Sequence, residues 1–464
     1  MSENTEPKRE TLATRLGFLM LAAGCAVGLG NVWRFPYIVG KYGGGMFVLL
    51  YLAFLALLGF PVLLMELSLG KASRQGYIGA FRTLANGHRP LWTGLARLFF
   101  LGNLLLMMYY TTVTGWLFSY TRLYAGGEMS RCTTPEEIAG QFSGLLASPG
   151  RSAFYMLLAC ILGTALCYSG LQKGVENSVK YMMGLLFALM LLLGVNSLMM
   201  PEAAEGLRFY LLPNWSRFSE HPLDTVFAAM GQAFFTLSLG IGSIEIFGSY
   251  ISWKKSLVKE SITIIALDTL VALAAGFIIF PVCTSQHLDV SSGPGLIFIS
   301  LPHVFHILPG GRFWGALFFL FLSMAALTTV IAVFENIIAC LMDEFKLTRQ
   351  KATLLTGFTV AILSMPCVFG FNLWKSIQPM GQGTGILDLE DFIVSQNMLP
   401  LGSLLIVLFC TMASGWGCQG LNATVTESRD KPLGRLILFY CRWLLPLLMS
   451  LIFVLGYLDY FHLL

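Results

Sequence analysis

Long apolar runs alternate with short polar segments along the whole chain. Crossing a bilayer as a helix takes roughly 20 apolar residues. Runs that satisfy this length lie near 15–38, 45–69, 92–121, 153–169, 176–199, 225–250, 261–284, 312–342, 353–370, 389–412 and 434–458. The pattern therefore predicts an all-α integral membrane protein with eleven transmembrane helices.

The composition agrees with this class. Hydrophobic residues make up 56% of the chain and charged residues 12%, whereas soluble domains carry about 25% charged residues. The net charge of +4 is too small to indicate a nucleic-acid partner. The ten cysteines are scattered and show no CxxC spacing, so no disulfide framework is predicted. Membrane lipid and a small molecule remain as expected partners, with a homodimer as a further possibility.

The polar segments indicate the orientation in the membrane. The N-terminal segment is polar and precedes an apolar run without a cleavage site, which favours a cytoplasmic tail over residues 1–14. With that orientation, the cytoplasmic segments hold about twice as many Lys and Arg residues as the outer ones. We therefore expect a multi-pass protein of the plasma (cytoplasmic) membrane. An odd number of spans would leave the C-terminus extracellular.

Two of the spans are interrupted by glycine and polar residues. The first contains "GCAVGLGNVWRFPY" (24–37), and the sixth reads "GQAFFTLSLGIGSIEIF" (231–247). Broken helices at the same position in two halves are typical of inverted-repeat transporters. We predict a first repeat over 15–200 (helices 1–5), an extracellular loop over 201–224 and a second repeat over 225–412 (helices 6–10). A cytoplasmic loop and helix 11 follow over 413–464.

The break in the first span has a chemical use. Unwound backbone survives in a membrane only where it faces protein or a water-filled cavity. Free carbonyls there would bind a cation, and the N–H groups of the following half-helix would bind an anion. The alternative is close helix packing, because Gly24 and Gly28 have the spacing of a small-residue packing motif.

Three motifs together resemble one transporter family. "ATRLGFLMLAAGCAVGLGNVWRFPY…YGGGMF", "GQAFFTLSLGIG" and "MAALTTVIAVFE" are similar to the neurotransmitter:sodium symporters, and most to their bacterial amino-acid transporters. The resemblance covers essentially the whole chain. It implies two inverted five-helix repeats, alternating access and sodium-coupled uptake. Eleven spans resemble several bacterial members that lack the last helix.

The resemblance implies two Na⁺ sites built from oxygen ligands, which suit a hard cation. The first would use Ala26, Asn31, Thr236 and Asp268 together with the substrate carboxylate. The second would use Gly24, Val27, Ala325, Thr328 and Thr329. The adjacent threonines could otherwise bond only to the preceding turn of their own helix.

Asp268 is the most informative single residue. A carboxylate within an apolar run is costly, and it indicates a functional site. In the family, chloride-dependent members balance the sodium charge with an anion nearby. Asp268 would supply that charge itself, so no chloride requirement is expected, although Tyr51 and Gln232 of the family's chloride pocket are present and Ala272 replaces its Ser. Once its sodium leaves, the carboxylate should take a proton, which suggests proton antiport; a permanently paired structural acid is the alternative.

The resemblance also implies a substrate site. Tyr110 and the N–H groups near Leu29 and Gly30 would hold the carboxylate, while Phe235 would cover the site. Gly28 leaves room for that carboxylate, where monoamine transporters have Asp. The predicted substrate-binding residues are Cys25, Ala26, Leu29, Gly30, Leu106, Tyr110, Phe235, Thr236, Ser238, Ile241, Thr329 and Val333. Their largely apolar side chains favour neutral, hydrophobic L-amino acids.

Charged pairs would close the pathway on both sides. Arg34 and Asp391 resemble the outer gate of the family, and Arg9 and Asp343, with Tyr250, resemble the inner gate. Exposed ion pairs contribute little stability, which suits contacts that must open. Solvated charges at a helix end are the alternative for Arg9 and Asp343.

Other functions remain as alternatives. A membrane enzyme would need a nucleophile–base pair or a metal cluster, and the six histidines fall in or beside loops without further ligands. The chain is therefore not expected to be an enzyme. A receptor-like protein that binds an amino acid in the presence of sodium without moving it stays open. So does a symporter for an amine or a compatible solute.

Overall fold

The computed structural model describes residues 10–132, 134–200, 202–251, 255–285 and 295–460. All regular elements within these ranges are helices, which confirms the predicted all-α class. Among the same residues, nine helices are long and apolar enough to cross a membrane, or up to ten when one bent pair counts as a single span. The predicted number of eleven spans is not confirmed by this measure.

The helices follow one another with short connections. In chain order they are α1 (Arg15–Ala26), α2 (Gly30–Lys41), α3 (Gly45–Ser73), α4 (Tyr77–Leu84), α5 (Arg89–Ala125), α6 (Pro135–Ala147), α7 (Pro149–Tyr168), α8 (Leu171–Leu198), α9 (Ala203–Leu211), α10 (Trp215–Glu220), α11 (Pro222–Thr236), α12 (Glu245–Ser249), α13 (Leu257–Ser285), α14 (Leu296–His306), α15 (Gly311–Phe345), α16 (Arg349–Gly370), α17 (Ile386–Thr411), α18 (Gly417–Glu427) and α19 (Arg435–Leu458). Met129–Arg131 forms a single 3₁₀ turn.

The first apolar run is divided into α1 and α2, whose axes differ by 50°. The backbone leaves helical geometry at Val27, where φ is −72° and ψ is 89°. Its N–H still donates to the Ala23 carbonyl at 2.6 Å, and the next helical element begins at Gly30. Leu29 has helical angles again, with φ −59° and ψ −23°. The interruption therefore consists of residues 27 and 28.

A longer interruption separates α11 from α12. The connecting residues 237 to 244 form turns, and Ser238, Gly240 and Gly242 have positive φ angles of 51°, 94° and 78°. Glycine adopts such angles at little cost, whereas a side chain there is strained. The two glycines therefore allow the chain to turn within the buried interior.

The core of the molecule surrounds α15. This helix packs against α1, α5, α7, α8 and α16. Within its apolar stretch of 18 residues, 83% of the residues are buried inside the protein. By contrast, only 17% of the corresponding 18-residue stretch of α19 is buried, so this last helix lies at the periphery. The breaks between α1 and α2 and between α11 and α12 both lie in buried surroundings.

Candidate functional site

Asp268 lies at the junction of the two helix breaks. Asn31, just after the first break, donates from Nδ2 to Asp268 Oδ1 at 2.8 Å and to its carbonyl oxygen at 3.1 Å. Thr236, just before the second break, donates from Oγ1 to both carboxylate oxygens at 3.1 Å. All three residues are fully buried. One carboxylate on α13 thus joins both interrupted helices.

A second group of oxygen atoms lies between α1 and α15. Thr329 Oγ1 is 3.3 Å from the Gly24 carbonyl oxygen and 3.5 Å from that of Ala325. Thr328 Oγ1 donates to the Ala325 carbonyl at 2.8 Å. The structure therefore brings four of the five residues predicted for the second sodium site together. Val27, the fifth, begins the adjacent break.

A small cavity of about 10 Å³ lies next to the second group, and Thr329 forms part of its wall. Its walls come from α1, α2, the first break, α5, α11, the second break, α15 and α17. The lining residues are Cys25, Ala26, Gly28, Gly30, Leu106, Tyr110, Phe235, Ser238, Thr329 and Leu399. Most of the predicted substrate-binding residues are therefore brought to one cavity.

The polar end of the cavity is formed by the first break and α5. The Leu29 N–H donates to the Tyr110 hydroxyl at 2.9 Å. A Cβ atom added to Gly28 would lie 2.3 Å from that hydroxyl and 2.4 Å from Thr329 Oγ1. The site thus offers a phenol and backbone N–H groups but has no space for a side chain at residue 28.

Four predicted substrate residues do not line this cavity. Leu29 faces the outer vestibule described below, although its N–H reaches Tyr110. Thr236 is bonded to Asp268, and Ile241 lies within the second break, where its carbonyl accepts from Asn103 Nδ2 at 2.8 Å. Val333 is fully buried in α15.

The predicted outer gate lies above the cavity. Arg34 Nη1 is 3.6 Å from Asp391 Oδ1, and the Arg34 guanidinium lies 4.3 Å from the centre of the Phe235 ring. Ser395 donates to Asp391 Oδ1 at 2.5 Å. A vestibule of about 310 Å³ begins beyond this pair and is lined by residues that include Trp33. Phe235 thus separates the vestibule from the cavity.

The predicted inner gate is described only in part, because Arg9 lies outside the described residues. Asp343 Oδ2 accepts from the Gly76 N–H at 2.6 Å. The Tyr250 hydroxyl donates to Glu335 Oε1 at 2.7 Å. Arg349 holds the other oxygen of the fully buried Glu335 at 2.5 Å.

Several polar residues of this region were not predicted from the sequence. Arg349 also reaches Glu10 Oε2 at 2.7 Å, so it connects the N-terminal segment to α15. Glu176 accepts from the N–H groups of Ala13 and Thr14 at 2.7 and 3.1 Å. These contacts join segments far apart in the chain, and only the presence of acids next to apolar runs could have drawn attention to them.

The arrangement suits the binding of a cation beside a small zwitterion. Carboxylate, carbonyl and hydroxyl oxygens are the ligands that hard cations prefer. The N–H groups that begin α2 provide the positive end of a half-helix for an anion. Groups of three or more His, Cys, Asp or Glu side chains that could hold a metal ion are absent from the described residues.

Comparisons with known proteins agree over nearly the whole chain. The model of the sodium:neurotransmitter symporter family matches residues 9–130 and 137–460. An uncharacterized sodium-dependent transporter of Haemophilus influenzae is 34% identical over 457 residues, covering 96% of this chain and 98% of that protein. The uncharacterized sodium-dependent transporter YhdH of Bacillus subtilis is 32% identical over 408 residues, covering 87% and 88%.

A solved structure shows the same fold. The crystal structure of MhsT in complex with L-phenylalanine superposes with a TM-score of 0.87 at 34% sequence identity. The match covers 97% of this chain and all of MhsT. The family predicted from the motifs is thus confirmed, and with it a multi-pass membrane protein whose relatives are transporters rather than enzymes. This chain belongs to the sodium:neurotransmitter symporter family.

Proposed function

We propose that this protein is a secondary active symporter that uses Na⁺ to take up neutral, hydrophobic L-amino acids by alternating access. The observation that carries the proposal is the junction at Asp268, where the two helix breaks share one buried carboxylate. A cation bound there would connect the positions of both breaks. The L-phenylalanine in the structure of MhsT supports the substrate class.

Two Na⁺ ions are expected. The first would lie beside Asp268, with Asn31, Thr236 and the Ala26 carbonyl. The second would lie between α1 and α15, bound by the carbonyls of Gly24, Val27 and Ala325 and the hydroxyls of Thr328 and Thr329. In the second group the hydroxyls already lie within 3.5 Å of two of these carbonyls, so little rearrangement is needed.

The substrate would bind in the small cavity. Its carboxylate would accept from the Tyr110 hydroxyl and from the N–H groups at Leu29 and Gly30. Its ammonium would face the carbonyls of Ala26, Phe235 and Thr236. Leu106 provides an apolar wall, which favours a hydrophobic side chain over a charged one. The absent side chain at residue 28 argues against a monoamine, which would need an acid there.

Asp268 is also the basis for the expected independence from chloride. The Tyr51 hydroxyl donates to Asp268 Oδ2 at 3.4 Å, and Gln232 Nε2 donates to the Gly30 carbonyl at 2.8 Å. Both residues would otherwise face an anion, and the fixed carboxylate takes its place. After sodium release, an unpaired carboxylate at this depth is costly. Protonation would neutralise it, which would couple the return step to proton export.

The proposed topology has eleven spans, with α11 and α12 together forming the sixth. The first repeat would end with α8 and the second with α17, leaving α19 as an additional helix. The N-terminus would be cytoplasmic and the C-terminus extracellular, in the cytoplasmic membrane. A homodimer stays a prediction.

Uptake into proteoliposomes tests the proposal. Labelled neutral amino acids would be offered with an inward Na⁺ gradient, with and without chloride, and at varied internal pH. Sodium-driven accumulation without chloride would support the symporter, and stimulation by internal acid would support proton antiport. Binding without accumulation would identify a receptor instead, and a strict chloride requirement would contradict the role of Asp268.

A further inference from the structure

One wall of the small cavity comes from α17, the helix that holds Asp391 at its outer end. Leu399 lines the cavity and is only 1% exposed. The predicted substrate residues lie on the first, third, sixth and eighth spans, and none lies on the tenth. Leu399 therefore adds a fifth span to the walls of the cavity, one that the sequence did not indicate.

The local backbone explains how Leu399 reaches the cavity. Residues Phe392–Met398 form a widened helical turn of the π type, and such a turn inserts an extra residue and rotates the side chains that follow. Pro400 comes directly after Leu399 and has no N–H to donate to the preceding turn. The proline therefore favours the wide turn, which sets the direction of Leu399.

Two glycines fix the distance between α17 and the second break. A Cβ atom on Gly402 would lie 2.1 Å from the Gly240 carbonyl oxygen. A Cβ atom on Gly240 would lie 2.3 Å from the Leu399 carbonyl oxygen. The two backbones are thus in direct contact, so Leu399 cannot withdraw from the cavity without moving the break.

We propose that Leu399, together with Leu106, sets the size of the substrate side chain. This inference rests on the proposed function and adds a specificity-determining residue to it. The polar groups of Tyr110 and the first break lie in one part of the cavity, whereas Leu399 and Leu106 contribute its large aliphatic side chains. Since the volume of the cavity is only about 10 Å³, each carbon atom of these two leucines limits the size of the substrate side chain that fits.

Substitutions of Leu399 in opposite directions test this role. Sodium-driven uptake by proteoliposomes would be measured for alanine, leucine, phenylalanine and tryptophan with wild type, Leu399→Ala and Leu399→Phe. We expect Leu399→Ala to raise the ratio of kcat/KM for tryptophan to kcat/KM for alanine by about tenfold or more. A single methylene group already changes the discrimination between two substrates by about tenfold or more. Leu399→Phe should shift the same ratio toward alanine.

Leu405 provides the matched control. It is a buried leucine on the same helix, 6% exposed, and it does not line the cavity. Leu405→Ala should lower stability without changing the order of substrates. If Leu399→Ala or Leu399→Phe does not fold, Leu399→Met and Leu399→Val provide smaller changes of side-chain size. They should change the ratio of kcat/KM for tryptophan to that for alanine by correspondingly smaller amounts.

The outcomes separate this inference from the proposed function. Active Leu399 variants that keep the wild-type order of substrates would overturn the subsite and leave the symporter intact. Wild-type protein that accumulates no amino acid in a Na⁺ gradient would overturn the proposed function, and the subsite with it. A change of order that Leu405→Ala reproduces would also overturn it, because the effect would then be general loosening of α17.

Discussion

Gly28 lines the cavity next to Tyr110 and Thr329. A methyl group there would lie 2.3 Å from the Tyr110 hydroxyl and 2.4 Å from Thr329 Oγ1, well inside contact distance. Gly28→Ala should therefore weaken amino-acid binding by at least about tenfold, or ~1.4 kcal/mol, and equilibrium binding of labelled substrate in detergent would measure the loss. Gly184→Ala is the control, because nothing lies within 4 Å of the added methyl group. Equal affinity in the two variants would contradict the proposed position of the carboxylate.

Asp268 is the acidic member of the group that it forms with Asn31 and Thr236 between the two breaks. Asp268→Asn keeps the shape but removes the charge, so the sodium site would lose its balancing anion. Uptake should fall, and the remainder should increase with external chloride, especially when Ala272→Ser is added to complete the pocket around Tyr51 and Gln232. Uptake at constant Na⁺ with chloride replaced by gluconate measures this effect. A double variant that ignores chloride would argue against charge compensation by Asp268.

Sequence reasoning succeeds for residues that break a local rule. Asp268 stands out because a carboxylate is costly within an apolar run, and the structure places it between Asn31 and Thr236. Leu399 gives no such signal, since it is one leucine among many in an apolar helix. Its exposure to the cavity depends on a wide turn and on a glycine contact between distant segments, neither of which the hydrophobic pattern records.

The second break is held from outside by a network of buried amides. Asn103 on α5 donates to the Ile241 carbonyl at 2.8 Å and accepts from Ser243 at 3.1 Å and from Asn336 Nδ2 at 2.9 Å. A single side chain thus connects α5 and α15 to the irregular segment. Such a segment needs partners for its free backbone groups in a membrane protein.

Asn103→Leu should therefore loosen the break as well as destabilise the fold. A buried polar group left without a partner costs about 1–3 kcal/mol, so we expect a lower Tm in detergent and weaker substrate stabilisation of that Tm. Thr93→Val is the control, since Thr93 donates to the Arg89 carbonyl of its own helix, at 2.8 Å. If substrate raised the Tm of Asn103→Leu and of Thr93→Val by the same amount, the amide network would not support the substrate site.

At the end of α15 that is predicted to be cytoplasmic, α15 and α16 are joined by an ion pair of unequal exposure. The Glu335 side chain is fully buried, whereas that of Arg349 is 12% exposed. Removing the cation leaves a buried carboxylate unpaired, which costs about 3–5 kcal/mol. Arg349→Gln should lower stability strongly, and Glu335→Gln combined with Arg349→Gln should recover part of the loss.

Denaturation of the two variants, compared with Arg122→Gln, measures this coupling. Arg122 pairs with Glu128 at 2.6 Å, but both side chains are at least 40% exposed, and exposed pairs contribute only about 0–1 kcal/mol. A loss in Arg349→Gln as small as that in Arg122→Gln would show that Glu335 is neutral or hydrated in the folded protein.

The interrupted helices limit what can be predicted at the level of elements. Glycine and polar residues indicated both breaks, and the structure has non-helical residues at 27 and 28 and turns at 237 to 244. The sixth apolar run nevertheless yields α11 and α12, which are too short to be counted as membrane helices by length. An apolar run indicates that a segment lies within the membrane, but it does not indicate whether the backbone of that segment is helical. The number of spans therefore needs an independent measurement.

The orientation of the whole molecule is predicted from the distribution of Lys and Arg. The eleven proposed spans would place the two termini on opposite faces of the membrane, and the excess of basic residues predicts a cytoplasmic N-terminus. An epitope tag at the N-terminus should therefore bind antibody only after permeabilisation, while a C-terminal tag should bind on intact cells. Tags on the same face would indicate an even number of spans.

Single cysteines locate the connecting segments independently of the tags. Nine of the ten native cysteines are buried and Cys418 is half-buried, so Cys418→Ser gives a background with little labelling. On that background, Trp215→Cys should react with a membrane-impermeant maleimide on intact cells, because Trp215 is 69% exposed in the predicted extracellular loop. Lys351→Cys, at the exposed start of α16, should react only after permeabilisation. The reverse result would invert the molecule in the membrane, and the vestibule beyond Arg34 and Asp391 would then open to the cytoplasm.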